Sequence, residues 1–414
     1  MTAPAPHRVG QPSPLVFHLN AALSAYAQAL LAAPRADAPG FPWSADLAQA
    51  AAALGPDLDP TEVAAEVGAR LSATLRGLEA WQTHPWRRDL ADPPEIWRAG
   101  GARLLDFGAA PEAADPNGPP VLVVPSLINR AYILDLTSQR SMLRALAGRG
   151  LRPVLLEWGA PGPAEAGFDL DAYGRCRLVP ALRHLQTMTG RPVSVLGYCM
   201  GGTLAAGLAA RAPDGVASLT TIGAPWDFAS TDGVAGGFRG LIRAQGPHRV
   251  ESLLDSLGQA FGAVPVSLFQ TLFALVNPLQ AALKFRRFSV LDPDSSAARH
   301  FVALEDWLAD GVPMTAPAAR DVLVDWQIRN VTASRRWRFL GGPVDPREIT
   351  VPALVFCGRG DSIAPAPLAR PLGALIPDAT LIEPATGHVG MIVGSAAPAQ
   401  VWDPLAAFLT AHAG

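Results

Sequence analysis

From residue 121 onward, short β-branched runs alternate with longer stretches in which apolar residues recur at helical spacing. The runs VLVVP (121–125), RPVLLEWG (152–159), PVSVLGY (192–198), VASLTTIGAP (216–225), VPALVFCG (351–358) and ATLIEPA (379–385) are apolar almost throughout. Strands buried on both faces of a parallel sheet have this pattern. SQRSMLRALAGRG and ALRHLQTMTG place helices between the early runs. The alternation predicts an α/β class with a doubly wound, mostly parallel central sheet.

Two regions depart from that rhythm. From Phe17 to about Leu105 the chain is Ala/Leu-rich with polar residues at helical spacing, as in DPTEVAAEVGARLSATLRGLEAW, where Asp59 can cap and Glu62 follows three positions later. Residues 1–107 therefore read as an N-terminal helical extension, closed by the turn-rich stretch GAAPEAADPNGPP over 108–120. The second departure is 226–343, where SLLDSLGQAFGAVPVSLFQTLFALVNPLQAALKF carries Leu and Phe at helical spacing. It reads as a helical cap inserted into an α/β domain spanning 108–414, either packed on the sheet or also lining an apolar channel.

Composition narrows the function. Of 414 residues 49% are hydrophobic and 17% charged, against a usual charged share of about 25%, which leaves apolar surface for a greasy partner or substrate. The net charge of -3, without runs of like charge, excludes an electrostatic nucleic-acid binder. Cys176, Cys199 and Cys357 are an odd set without paired spacing, as expected in a reducing compartment such as the cytoplasm. The opening MTAPAPHRVGQPSPLVFHLN lacks the features of a signal peptide, and glycines interrupt the longest apolar run, 193–210, so no transmembrane span is expected.

That run also carries the chemistry. A strand is followed by Gly197-Tyr198-Cys199-Met200-Gly201-Gly202 and then a helix, the G-x-nucleophile-x-G form of a nucleophile elbow with Cys in the usual place of Ser. Positions two before and two after the nucleophile must be nearly free of side chain in so tight a turn. The thiol then sits at a helix N-terminus, whose dipole favours thiolate, and the Met200 N–H becomes an oxyanion donor. An elbow requires an acid and then a histidine after later strands. Asp361 follows VPALVFCGRG, and His388 follows ATLIEPATG; the other seven histidines end no predicted strand in this way. His388 is the candidate base, with Asp361 fixing its tautomer. Asp227 is a second candidate acid, more consistent with a turn. Cys357 reads as inert core and Cys176 as packing. The second oxyanion donor is expected in PSLINRAYILDL, near Ser126 or at Leu127.

VVPSLINRAYILDL, LLEWGAP, LGYCMGGTL, VPALVFCGRGDSIAP and GHVGMIVG together resemble the polyhydroxyalkanoate synthase family of α/β-hydrolase-fold enzymes. The similarity runs from about Val121 to the end and includes the stretches EDWLADGVPM and GGPVDPREITVP. It implies an α/β-hydrolase fold, Cys199 as the acylated nucleophile, Asp361 as acid and His388 as base. The implied reaction polymerises (R)-3-hydroxyacyl-CoA with release of CoA, the thioester being substrate and no cofactor or metal being needed. In length the chain is closest to the short, two-component synthases, so a second synthase subunit or a homodimer, and a polymer granule surface, are expected partners. Glu157 stands where the family commonly has Asp before Trp-Gly. The pairs Arg286/Arg287 and Arg335/Arg336 could meet CoA phosphates or simply be solvated.

A thiolate exchanging one thioester for another keeps the acyl group activated, and a cap excluding water favours an alcohol as the next acceptor. A thioesterase, esterase or polyhydroxyalkanoate depolymerase using the same triad is the alternative enzyme reading. A catalytically silent, granule-binding protein is a third. A dinucleotide site fails because Cys199 stands where G-x-G-x-x-G needs its second glycine.

Overall fold

A computed structural model describes residues 15–32, 59–230 and 233–413. The first fourteen residues and 33–58 lie outside it, so the leader reading and part of the helical extension fall outside the described residues.

All six sequence-read strands form, with boundaries shifted by at most three residues, and two more precede them. They are β1 (Glu95–Ala99), β2 (Ala102–Asp106), β3 (Pro120–Val124), β4 (Arg152–Glu157), β5 (Val193–Tyr198), β6 (Val216–Ile222), β7 (Ala353–Phe356) and β8 (Thr380–Ile382). The sheet order is β1-β2-β4-β3-β5-β6-β7-β8. β3 to β8 are parallel, whereas β1 pairs antiparallel with β2 and β2 with β4. Burial explains the sequence pattern: β3, β5 and β7 are buried at every residue, while β8 at the edge is exposed at two of its three.

The hairpin β1–β2 corrects the reading of a helical extension through Leu105. Ala99 pairs with Ala102 across Gly100-Gly101, with Gly100 at φ +56°. A Gly-Gly pair between two short apolar runs is a two-residue hairpin signal that outweighs the helical spacing around it. β2 then explains Glu157: it lies opposite Arg103 in the register and binds its guanidinium at 2.5 Å.

The chain divides into two compact units, residues 1–87 with 273–309 and residues 88–272 with 310–414. In the first, Asp59 caps the helix Pro60–Thr83 through the Thr61 N–H at 2.8 Å. Fully buried Trp81 packs with Phe285, Phe288 and Val302 and donates its indole N–H to Asp306 at 3.0 Å. The second unit holds the sheet and the helices Gly233–Gln245 and Pro247–Phe261. The insertion expected over 226–343 is thus divided: its 273–309 part belongs to the N-terminal helical unit.

In the second unit the helix Met200–Arg211 follows β5, and nearly its whole surface is buried. Gly201, Ala205, Ala206 and Ala209 give it the small profile that close packing on the sheet needs. Among the described residues no single helix is long and apolar enough to cross a membrane.

Candidate active site

Cys199 occupies the turn between β5 and the helix Met200–Arg211, with φ +56° and ψ −129°. For a residue with a Cβ this is a strained backbone, stable only where the surroundings over-determine it. Here they do. The Cys199 N–H donates to the Ile222 carbonyl at the end of β6 at 2.9 Å, and the Gly202 N–H closes back on the Cys199 carbonyl at 2.8 Å. A Cβ on Gly197 would stand 2.5 Å from the Gly201 oxygen, and one on Gly201 would stand 2.1 Å from the Val124 oxygen of β3. Both positions therefore exclude any side chain, as the elbow geometry requires.

β7 and β8 deliver the other two groups. After β7 the chain turns through Gly358-Arg359-Gly360 to Asp361, and after β8 it loops to His388. Two backbone bonds lace these loops together: Arg359 N–H to Pro384 O at 2.9 Å and Gly360 N–H to Thr386 O at 3.1 Å. Asp361 Oδ1 accepts from the Ile363 and Ala364 N–H groups, both at 2.8 Å, which leaves Oδ2 to face His388 Nδ1 at 2.7 Å. Both side chains are buried. His388 Nε2, buried and without an oxygen or nitrogen partner, is the ring atom left for the Cys199 sulfur.

The electrostatics of the pair follow from this packing. Burial by itself would raise the Asp361 pKa, but the imidazolium of His388 and the two backbone N–H bonds outweigh it and hold the carboxyl below its ordinary range. Burial by itself would lower His388; the Asp361 carboxylate first, then the Cys199 sulfur, reverse the sign and hold it well above its ordinary value. The arrangement thus stabilises an imidazolium, which a base that takes a thiol proton must become.

Two residues absent from the sequence reading complete the slot around His388. The Tyr198 ring lies 5.2 Å from the imidazole at a 32° tilt, and its hydroxyl reaches the His388 carbonyl at 3.5 Å. Burial, reinforced by Cys199 and Asp361, pushes the phenol well above its ordinary value, so it stays neutral. On another side of the imidazole, a Cβ on Gly223 would fall 3.0 Å from its Cε1 and Nδ1. The available signal was Gly223 at the carboxyl end of a strand adjoining the elbow strand; nothing in sequence spacing singled out Tyr198.

The remaining candidates are placed as follows. Met200 is the first residue of the elbow helix, where N–H groups have no partner within the helix. Leu127 is buried in the loop after β3, whose start abuts Gly201. That loop and the end of β4 line a small, open concavity, with Leu127, Arg130, Trp158 and Val312 among its walls. Asp227 Oδ1 accepts from Ala229 N–H and Asn330 Nδ2, a turn-holding role. Cys357 is buried, and burial pushes its thiol up to about 12, which makes it inert. Half-buried Cys176 lies in the helical turn Gly174–Leu178. Arg335 pairs with Asp345 at 3.7 Å and Arg336 donates to the Arg329 carbonyl at 3.2 Å; Arg286 and Arg287 sit on the helix Gln280–Phe288 of the other compact unit. Among the described residues no His/Cys/Asp/Glu cluster has a metal-holding arrangement.

The family described as alpha/beta hydrolase fold matches residues 119–395. The chain belongs to that family. Within it, the sequence is 30% identical over 311 residues to the poly(3-hydroxyalkanoate) polymerase subunit PhaC of Haloferax mediterranei, covering 74% of this chain and 61% of the relative. The protein of the same name from Haloarcula marismortui is 30% identical, covering 69% of this chain and 60% of the relative. The one from Allochromatium vinosum is 27% identical over 70% of this chain and 81% of its own. The chain spans about three fifths of the length of the Haloferax and Haloarcula relatives. This α/β-hydrolase-family member therefore carries, in addition to the fold, the similarity to polyhydroxyalkanoate synthases read from its motifs.

Proposed function

We propose that this protein is a polyhydroxyalkanoate-synthase-like acyltransferase that polymerises (R)-3-hydroxyacyl-CoA through an acyl-Cys199 intermediate. The observation that carries the reading is Cys199 held at a strained elbow beside the bonded His388–Asp361 pair, in a chain similar to polymerase subunits over about 70% of its length.

In the first step the Cys199 sulfur attacks the thioester carbonyl carbon while His388 Nε2 takes the thiol proton. The tetrahedral oxyanion is held by the Met200 and Leu127 N–H groups. The carbon–sulfur bond to CoA then breaks, and the thiolate leaves with the proton from His388. One thioester replaces another, so the acyl group stays activated. In the second step the hydroxyl of another hydroxyacyl unit attacks acyl-Cys199, gives its proton to His388, and an ester bond forms as the Cys199 sulfur is released. Asp361 fixes the His388 tautomer so that Nε2 faces the reacting atoms throughout. The chain supplies no cofactor chemistry; CoA enters and leaves as part of the substrate.

In this reading the compact unit of residues 88–272 with 310–414 carries the chemistry, the growing polyester and its granule surface are partners, and a second subunit or homodimer completes the assembly in the cytoplasm. That the relatives are polymerase subunits by name supports the partner. Incubation of wild type and Cys199→Ala with 3-hydroxybutyryl-CoA, following CoA and product together, tests it. Wild type is expected to release CoA with insoluble polyester, and the variant to release none. Monomeric hydroxy acid from wild type would instead assign a thioesterase or other hydrolase, and equal CoA release from the variant would overturn the role of Cys199.

A further inference from the structure

Residues 310–314 run between two parts of the second compact unit and bond to both. On one side Gly311 forms an antiparallel bridge with Asn129, Val312 N–H donates to the Ile128 carbonyl at 2.9 Å, and Asp310 Oδ1 accepts from Arg130 Nε at 3.3 Å. On the other side Val264 and Met314 exchange both backbone bonds, at 2.7 and 3.1 Å. Residues 128–130 belong to the loop that carries Leu127, and 264 lies in the helical insertion just before the helix Val266–Val276. We infer that residues 310–314 are a positioning strap which sets the Leu127 oxyanion donor by the placement of the insertion at residues 264–266.

The bonding fixes the residue that directly follows Leu127. The Ile128 N–H is held by Ser126 Oγ at 3.3 Å and the Ile128 carbonyl by Val312, so the peptides on both sides of residue 128 are fixed. Leu127 and Val312 line one concavity, and the loop start lies against Gly201 of the elbow. The strap's own position is set by contact: a Cβ on Gly311 would fall 2.1 Å from Val266 Cγ2, so this residue must be glycine for the strap to seat against the insertion. Val266 is β-branched and cannot swing aside at low cost. A displacement of the strap by a few tenths of an ångström moves a donor that must sit about 2.7–3.1 Å from the developing oxyanion.

The inference rests on the proposed acyl transfer for the oxyanion role of Leu127 and for the identity of the acyl donor, so two probes are used on the whole chain. p-Nitrophenyl acetate reports acylation of Cys199 whatever the natural substrate, and 3-hydroxybutyryl-CoA reports the proposed one. Single-turnover acylation by Gly311→Ala is expected to fall about 10- to 100-fold with both probes while half-saturation changes less than about 3-fold, the signature of a misplaced oxyanion donor. Gly311→Ala combined with Val266→Ala, which removes the methyl groups the new Cβ meets, is expected to recover most of the rate. Asp310→Asn, at a half-exposed position, gives a smaller fall in the same sense without threatening the fold. Unchanged acylation in Gly311→Ala, or a loss that the Val266→Ala partner does not rescue, would overturn the strap. Reaction with the ester but not with the CoA thioester would overturn the proposed substrate and leave the strap supported by the same rate pattern; a wild type acylated by neither probe would overturn both.

Discussion

Cys199 and His388 meet because each is held in a conformation its neighbours impose. Cys199 keeps a positive φ because Ile222 and Gly202 bond its backbone from two sides; His388 keeps its ring plane because Tyr198 flanks it and Gly223 offers no Cβ. Tyr198 is thus a positioning residue. Replacing it by Phe preserves the ring contact and forfeits only a 3.5 Å bond to a carbonyl, so acylation is expected to stay within about 3-fold of wild type. Tyr198→Leu removes the flat face and is expected to cost about 10-fold or more in kcat with little change in KM. Single-turnover acylation across pH checks this; equal effects of Phe and Leu would assign the role to the hydroxyl instead.

At the scale of elements, the elbow is where strand, turn and helix are forced into one register. Gly201 faces the carbonyl oxygens of Val124 and Pro125. Backbone has no rotamer with which to yield, so Gly201→Ala must push the helix Met200–Arg211 off the sheet. A destabilisation of about 2–3 kcal/mol is expected, read as a lower urea midpoint at unchanged slope, and acylation falls with it. A Gly201→Ala protein with wild-type midpoint and activity would show that the contact is relieved elsewhere. The hairpin β1–β2 shows the converse: a local signal, the Gly100-Gly101 turn, prevails over the helical spacing on either side. Only pairing with β4, where Arg103 meets Glu157, makes that edge favourable.

At the scale of the whole molecule, the buried His388–Asp361 pair couples stability to pH. His388 is raised from its ordinary value of 6.5, so its contribution is fully present below 6.5 and is lost as pH rises through the higher native value. Asp361 is lowered from 3.8, so its contribution is present above 3.8 and is lost as pH falls through the lower native value. The stability difference between wild type and Asp361→Asn is therefore expected to be largest and flat between about pH 4 and 6.5, and to shrink on both sides, in urea unfolding across a pH series. A difference that grows steadily above pH 7 would mean that His388 is neutral in the native protein.

Several features were determined by the sequence alone: the parallel sheet, from six apolar runs; the elbow, from glycines two before and two after Cys199; and the succession of Cys199, Asp361 and His388 at strand ends. These are local constraints, and a run, a glycine or a strand end carries its reason in its own neighbourhood. Tertiary structure decided what depends on distant partners. It assigned 273–309 to the N-terminal helical unit, because Phe285 and Val302 bury themselves with Trp81. It gave Asp227 to a turn and Asp361 to His388, because the Gly358–Asp361 turn is laced to the histidine loop by backbone bonds. It placed Tyr198 and Gly223 about the imidazole and strapped 310–314 to the loop of Leu127, since contacts between residues far apart in the chain leave no periodicity to read.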